Sequence, residues 1–258
     1  MNLAYRLILP AALAALPTPL SAQAVPGGAL PAPEAIVARY VEAIGGRAAV
    51  ERFPARRERG HLEIAAQGLT LSWETVSEGG RIATRSELPG FGTIRSGFDG
   101  TVAWAMNPAS GPMILDSTAA WQARQAADPL AALHPDRYVA AMRTVEESDF
   151  GGARCYRVHV TTPWGEGFDE FFDVGTGLLQ GFVRQQASPQ GDIEVTSEIT
   201  EYRTVAGVRL PRVTRARMMG MEMVNTVDST EVGAVPDSLL ALPPEIRALR
   251  PGGPPPGE

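Results

Sequence analysis

The sequence predicts a mainly β protein of the α+β class: a strongly curved antiparallel sheet, or incomplete β-barrel, of about 11–12 strands, with short helices covering its concave side. Three observations support this prediction. From Arg56 onward, apolar and polar residues alternate with the period of two that is typical of half-buried strands. Turn signals containing glycine or proline separate these segments. Every connection but one is too short for a parallel crossover, so the strands pair antiparallel.

Two segments carry a helical period instead. Residues 34–53 place apolar side chains on one stripe, interrupted by a glycine pair that is typical of a helix end. The strand pattern pauses again over residues 116–134, where a polar residue at 116–118 is placed to cap a helix that runs to Ala127. We expect both segments to lie on or in the concave side of the sheet. A shorter helix is predicted at residues 243–249.

The N-terminal residues predict export. Residues 1–24 combine a positively charged start, a short apolar run and small residues in A-x-A spacing, as in a secretory signal peptide cleaved after Ala24. This apolar run is too short to span a bilayer, and no later stretch is long and apolar enough to do so. We therefore predict no transmembrane span and a periplasmic or secreted protein. A linker at 25–33 then leads into a single domain at 34–249, and a disordered Pro/Gly tail follows at 250–258.

Composition excludes several classes of protein. The 258 residues carry a formal net charge of −6, which argues against non-specific binding of nucleic acid. Their apolar fraction of 44% is too high for a disordered chain. The single cysteine, Cys155, excludes a disulfide scaffold and a Cys-based zinc cluster. In an exported protein, we expect this thiol to be buried in the sheet or to remain free.

The sequence predicts no catalytic residue, no metal site and no cofactor. The histidines His61, His134 and His159 lie in no metal-ligand spacing, and no nucleophile elbow or phosphate-binding loop is present. Cys155 and His159 share one strand face but lie about 13 Å apart at the usual rise, too far for a nucleophile–base pair. The carboxylates within residues 166–173 could in principle do glycosidic acid–base work, but we interpret them as a solvated strand face.

Methionines and aromatic residues supply the candidate ligand site. The segment Met-Met-Gly-Met-Glu-Met at residues 218–223 is compatible with three roles. The methionines could belong to the core or a pocket wall, they could contact a ligand adaptably, or they could bind Cu(I). The aromatic residues fit either ordinary core or the lining of an acyl-chain cavity. The predicted lining consists of Trp73, Trp104, Met106, Trp121, Phe168, Phe172, Met218, Met221 and Met223.

Three segments resemble exported bacterial proteins related to outer-membrane lipoprotein-sorting proteins. They are YVEAIGGRAAVERF at residues 40–53, GFDGTVAWAMNPASGP at 97–112, and the closing strands with their PDS-x-x-x-LP ending at 201–246. The resemblance implies a LolA/LolB-like fold, an open barrel-like sheet with helices that lid an apolar cavity. Characterised carriers of this kind shuttle lipoprotein acyl chains across the periplasm. This chain is longer, and none of its arginines is matched to the lid-controlling arginine of those carriers.

The residues and the resemblance together predict a periplasmic, non-enzymatic carrier or binding protein whose partner is a lipid or an acylated lipoprotein. The alternative is an envelope protein-interaction or sensing module whose concave side is filled by its own side chains, with an envelope protein as partner. An envelope hydrolase is the third hypothesis, and it lacks a positioned nucleophile–base pair. The volume and lining of the concave side distinguish the first two hypotheses.

Overall fold

The computed structural model describes residues 29–186 and 191–250. The predicted signal peptide, the start of the linker and all but the first residue of the predicted tail lie outside the described residues. Within the described ranges, no helix is long and apolar enough to cross a membrane.

All strands of the described chain belong to one antiparallel sheet of 13 strands. They are β1 Arg56–Ile64, β2 Leu69–Glu78, β3 Arg81–Leu88, β4 Gly92–Phe98, β5 Ala103–Asn107, β6 Gly111–Ile114, β7 Ala141–Phe150, β8 Ala153–Thr161, β9 Gly167–Asp173, β10 Leu179–Gln186, β11 Ile193–Val205, β12 Val208–Met218 and β13 Met221–Val232. Two meanders, β1–β6 and β7–β13, join where β1 pairs with β13, which leaves β6 and β7 at the two edges. The open curved sheet confirms the predicted incomplete barrel.

Five short α-helices accompany the sheet within the described ranges. They are α1 Pro33–Ala43, α2 Arg47–Glu51, α3 Ser117–Ala127, α4 Asp237–Leu240 and α5 Pro244–Ala248. The cap of α3 is Asp116, whose carboxylate accepts the Ala119 backbone N–H at 2.9 Å, as the sequence predicts.

Helices cover the two faces of the sheet unequally. Directly paired residues on neighbouring strands point to the same face, so the register assigns each side chain to a face. The face that we call inner packs against α1 and α3: Ile36 of α1 contacts Val158 and Phe172, and α3 lies on Phe98 and Ala103. This arrangement agrees with the predicted placement of both helical segments on the concave side.

The C-terminal helices cover part of the opposite face, which we call outer. Val76 of β2 packs there against Val235 and Leu240, and Ile246 of α5 is completely buried beside Trp104. The sequence predicted a short helix near α5 but assigned it to no face.

The structure differs from the predicted strands at two places. Strand β6 was not predicted because Gly111 and Pro112 weaken the strand pattern, and its position at the sheet edge is where proline is tolerated. The alternation that resumes after residue 134 predicts a strand from residue 137, but Pro135–Arg137 forms a 3₁₀ turn and β7 begins at Ala141. The described residues therefore form 13 strands, compared with the predicted 11–12.

Candidate functional site

Three adjoining pockets lie on the inner face beneath the helices. The first, which we call the α3 pocket, has a volume of about 220 Å³ and lies between α3 and the strands β9 and β10. The second, the α1 pocket, has a volume of about 120 Å³ and lies between α1 and β7–β10. The third, of about 270 Å³, lies beside Pro129 and is lined by the ends of α1 and β12. We call it the Pro129 pocket.

Shared wall residues connect these pockets into one belt. Gln125, Phe168 and Glu170 line both the α3 pocket and the α1 pocket. Ala131 and Ala132 line both the α1 pocket and the Pro129 pocket. Each pocket is smaller than the roughly 300–1,000 Å³ of typical small-molecule sites, but a thin, extended ligand could occupy more than one of them.

Aromatic edges form much of the lining. Tyr40 of α1 meets Phe172 of β9 edge to face, with ring centroids 5.7 Å apart. Trp121 of α3 meets both Tyr138 at 6.0 Å and Trp164 at 4.8 Å in the same manner. These contacts tie the helices to the sheet through large apolar rings, which suit the burial of a hydrocarbon chain.

Glu170 is the one carboxylate that lines both the α3 and the α1 pocket. It points to the inner face between Phe168 and Phe172, and its directly paired neighbours are Val158 and Phe182. No hydrogen bond or ion pair joins this carboxyl to another described residue. Burial among apolar side chains raises the pKa of Glu170 to about 7. The same burial, with a smaller contribution from Glu170, raises the pKa of Tyr40 to about 12.

Two further polar atoms of the α3 pocket have no partner in the described chain. They are the indole Nε1 of Trp121 and the guanidinium Nε of Arg184, and both are inaccessible to solvent. Buried polar atoms are normally hydrogen-bonded, so groups that are left unpaired need an explanation. The α3 pocket thus combines an apolar lining with unpaired donors and a carboxyl group.

The neighbouring carboxylate on β9 is paired in a different way. Asp169 points to the outer face, where it accepts hydrogen bonds from Arg157 at 2.7 Å and from His159 at 2.8 Å. Burial opposes ionisation of Asp169, but the bonds to Arg157 and His159 outweigh it and lower the pKa of Asp169. Cys155 on the same face is buried, and burial, reinforced by Asp173 and Asp149, raises its pKa to about 11. A protonated, buried thiol is a poor nucleophile.

The structure places three of the nine predicted lining residues together in the pockets. Trp121 and Phe168 line the α3 pocket, and Phe168 and Phe172 line the α1 pocket. Trp104 and Met106 instead lie on the outer face, where they pack with Leu242 of the C-terminal segment. These two side chains are therefore separated from the inner pockets by the sheet itself.

The remaining four predicted residues occupy the inner face at the centre of the sheet, outside the three pockets. Met218 and Met221 pair directly across the hairpin of β12 and β13, and Met223 lies on the same face. All three are partly buried, whereas Met219 at the turn is 65% exposed. The indole ring of Trp73 lies directly over Gly60 of β1.

The Trp73 ring and the backbone of β13 lie so near to Gly60 that a side chain would not fit there. A Cβ atom built there would lie 2.4 Å from the Trp73 ring and 2.0 Å from the carbonyl oxygen of Thr226. Trp104 lies over Gly97 on the outer face in the same way, with the ring 2.9 Å from such an atom. A glycine opposite each tryptophan therefore allows the indole to lie flat on the sheet.

Sequence reasoning missed Glu170 and Arg184. Glu170 was interpreted as part of a solvated strand face, but it alternates in step with Phe168 and Phe172 and therefore shares their buried face. This alternation was a signal in the sequence that Glu170 is buried on the same face as the two phenylalanines. Arg184 carried no such signal, because its place opposite Phe168 depends on the pairing of β9 with β10.

A further pocket, of about 330 Å³, lies on the outer face between α4 and β2–β5. Its lining includes Glu74, Arg85 and Arg95 around Trp104. Glu74 already pairs with Arg59 at 2.7 Å, so much of this lining is an exposed network of ion pairs. In the described ranges, no group of three or more His, Cys, Asp or Glu residues is arranged to hold a metal ion.

No protein-family model matches this chain, and no curated protein does. Solved structures do match. A LolA superfamily protein from Nitrosomonas europaea has a TM-score of 0.57 and 12% sequence identity, covering 83% of this chain and 99% of that one. A DUF1329 family protein from Desulfovibrio piger has a TM-score of 0.53 at 10% identity, with 81% and 96% covered.

A third similar structure is a putative outer membrane lipoprotein-sorting protein domain from Vibrio parahaemolyticus. Its TM-score is 0.50 at 10% identity, and the match covers 79% of this chain and 97% of that one. At such low identity these likenesses establish the architecture alone. This chain has a LolA-like fold, as the resemblance in its sequence predicted.

Proposed function

We propose that this protein is an exported, non-enzymatic carrier or binding protein that holds the acyl chain of a lipoprotein or another amphiphile on its inner face. The observation that carries the proposal is the belt of three pockets beneath the helices, walled by Tyr40, Trp121, Phe168 and Phe172. The similar structures include a lipoprotein-sorting domain, which favours the same ligand class. Trp73 and the three inner-face methionines would extend the apolar surface toward the centre of the sheet.

Apolar burial would supply the binding energy. Each methylene moved from water contributes about 0.8 kcal/mol, so ten methylenes would contribute about 8 kcal/mol before the cost of ordering the chain. The pockets are narrow and shared walls divide them. We therefore expect the ligand to enter by displacing side chains at those walls, with Gln125 of α3 between the first two pockets.

The division of the inner space also supports a second candidate function, an envelope protein-interaction module. In this case the pockets would be packing defects in a face that the chain fills with its own residues. The partner would bind elsewhere on the protein. The absence of bound lipid combined with recovery of one specific envelope protein would favour this alternative.

A substitution in the shared wall tests the carrier proposal. Gln125→Trp should fill the junction of the α3 and α1 pockets and weaken the binding of a fluorescent fatty-acid probe by about tenfold or more. The matched control is Ala126→Trp, which adds the same ring to an exposed position on the same helix and should leave probe binding unchanged. Circular dichroism establishes that both variants fold.

Mass spectrometry of the gently purified, processed protein provides the second measurement. The proposal expects co-purified lipid or an acylated lipoprotein. If the wild-type protein carries no co-purified lipid and shows no saturable binding of the probe, the proposal is wrong.

A further inference from the structure

We propose that the α3 pocket is a headgroup site for a zwitterionic phospholipid, in which Glu170 receives the ammonium group while Arg184 and Trp121 receive the phosphate. This inference rests on the proposed function and names the class of amphiphile that the inner face would select. The acyl chain would continue from the headgroup into the α1 pocket.

Two opposite charges lie near each other in the lining of the α3 pocket. Glu170 pairs with Phe182, and Arg184 pairs with Phe168, so the two charged residues are diagonal neighbours on the inner face of β9 and β10. Diagonal positions in an antiparallel pair lie about 7–8 Å apart, within the reach of long side chains. No ion pair joins them, although both line the same pocket. A dipolar group placed between them would contact both charges at once.

The α3 pocket also contains buried donors that lack hydrogen-bond partners. Among the described residues, seven side-chain nitrogen or oxygen atoms are buried without a hydrogen-bond partner, and two of them, Trp121 Nε1 and Arg184 Nε, line this pocket. Both are donors that solvent does not reach, so one phosphate would satisfy both after the side chains around them shift. Guanidinium–phosphate bonds are among the stronger hydrogen bonds in proteins because both groups are charged.

Aromatic rings form part of the pocket wall that also contains Glu170. Trp121, Trp164 and Phe168 line the pocket, and aromatic faces attract ammonium groups. A phosphoethanolamine or phosphocholine headgroup therefore has a counterpart for each of its charges. A free fatty acid or a phosphoglycerol headgroup could pair with Arg184, but neither carries a cation to balance the charge of Glu170.

The α3 pocket has exposed residues on one side and adjoins the α1 pocket on the other. Trp164 is 37% exposed and Glu166 is exposed, and both line the pocket at its solvent side. On the other side, Phe168 and Gln125 form the wall shared with the α1 pocket. A headgroup near the mouth would thus place its chain toward the more apolar pocket beneath α1.

Competition titrations with lysophospholipids that share one lauroyl chain test the inference. The wild-type protein should bind lauroyl-lysophosphatidylethanolamine about tenfold more tightly than lauroyl-lysophosphatidylglycerol. Glu170→Gln keeps the shape of the side chain but removes its charge, so this preference should fall below about threefold. Arg184→Met should weaken both lysophospholipids and reduce the difference between either of them and a lauryl alcohol probe.

Glu63→Gln is the matched control, because it removes an exposed carboxylate from the outer face of β1, away from the pockets, and should keep the wild-type preference. Trp121→Phe is a second variant that retains the ring and loses the donor. It should weaken both phospholipids without changing their ratio. Equal wild-type affinities for the two headgroups, or a preference that survives Glu170→Gln, would overturn the headgroup site while lauroyl binding itself still supports the carrier. If no lauroyl compound binds, both proposals are wrong.

Discussion

The unpaired carboxyl of Glu170 makes the stability of the protein depend on pH in a predictable direction. Burial raises its pKa from the ordinary value of 4.5 to about 7 in the folded chain. Below pH 4.5 the group is protonated in both states and costs nothing. Between the two pKa values the unfolded chain loses its proton first, so this group reduces the free energy of unfolding as pH rises. The penalty is complete above pH 7 and amounts to about 3 kcal/mol, at about 1.4 kcal/mol per pH unit.

Urea unfolding of the wild type and of Glu170→Gln at pH 4 and pH 8 measures this effect. The glutamine stays neutral, so the stability of the variant relative to the wild type should rise by about 3 kcal/mol between the two pH values. Other titrating groups contribute to both proteins and cancel in the difference. In thermal unfolding at pH 8, this corresponds to about 6–12 °C for a domain of this size.

Glu166→Gln provides the control, because its carboxylate is exposed and its replacement should change the stability by no more than about 0.5 kcal/mol. If Glu170→Gln shows the same stability difference at both pH values, Glu170 is ionised in contact with water. This result would refute the claim that burial raises the pKa of Glu170.

Three further substitutions test the packing that positions the site. Asp116→Ala removes the cap of α3 and should cost about 1 kcal/mol in urea unfolding, whereas Asp116→Asn should restore most of it. Gly60→Ala should destabilise the sheet by about 3 kcal/mol or more because the new methyl meets Trp73 and a backbone carbonyl, and a loss below about 1 kcal/mol would contradict the close approach. Ile246→Ala should cost about 2–5 kcal/mol and increase the exposure of Trp104 to acrylamide quenching, and an unchanged quenching constant would argue against the C-terminal cover.

Much of the fold could be predicted because the local signals agree with the global structure. The alternation of apolar and polar residues identified 12 of the 13 strands in the described ranges. The Asp-Gly pair at 99–100 is a sequence signal for a tight hairpin turn, and the Asp99 side chain accepts the backbone N–H of Val102 there at 2.7 Å. Asp116 capped the predicted helix. Strand β6 was missed because its four residues include Gly111 and Pro112, and only its place at the edge makes this composition acceptable.

The candidate site could be predicted only in part because the two faces of the sheet are assigned by pairing and not by local sequence. Trp73 and Trp104 carry the same local signal, yet the register places Trp73 on the inner face and Trp104 on the outer face. The C-terminal helices then bury Trp104 by packing Ile246 against it. No short-range pattern reports a contact between segments so distant in the chain.

The central claim is that an acyl chain binds on the inner face, and tryptophan quenching tests it most directly. Two variants that each retain a single tryptophan, Trp121 or Trp104, with the other three replaced by phenylalanine, would be titrated to saturation with a fatty acid brominated along its chain, after displacement of a fluorescent fatty-acid probe has established that each variant still binds. Trp121 lines the α3 pocket, whereas Trp104 lies on the opposite face of the sheet. The account predicts strong, saturable quenching of Trp121 and little quenching of Trp104. Equal quenching of the two, or quenching of Trp104 alone, would contradict it.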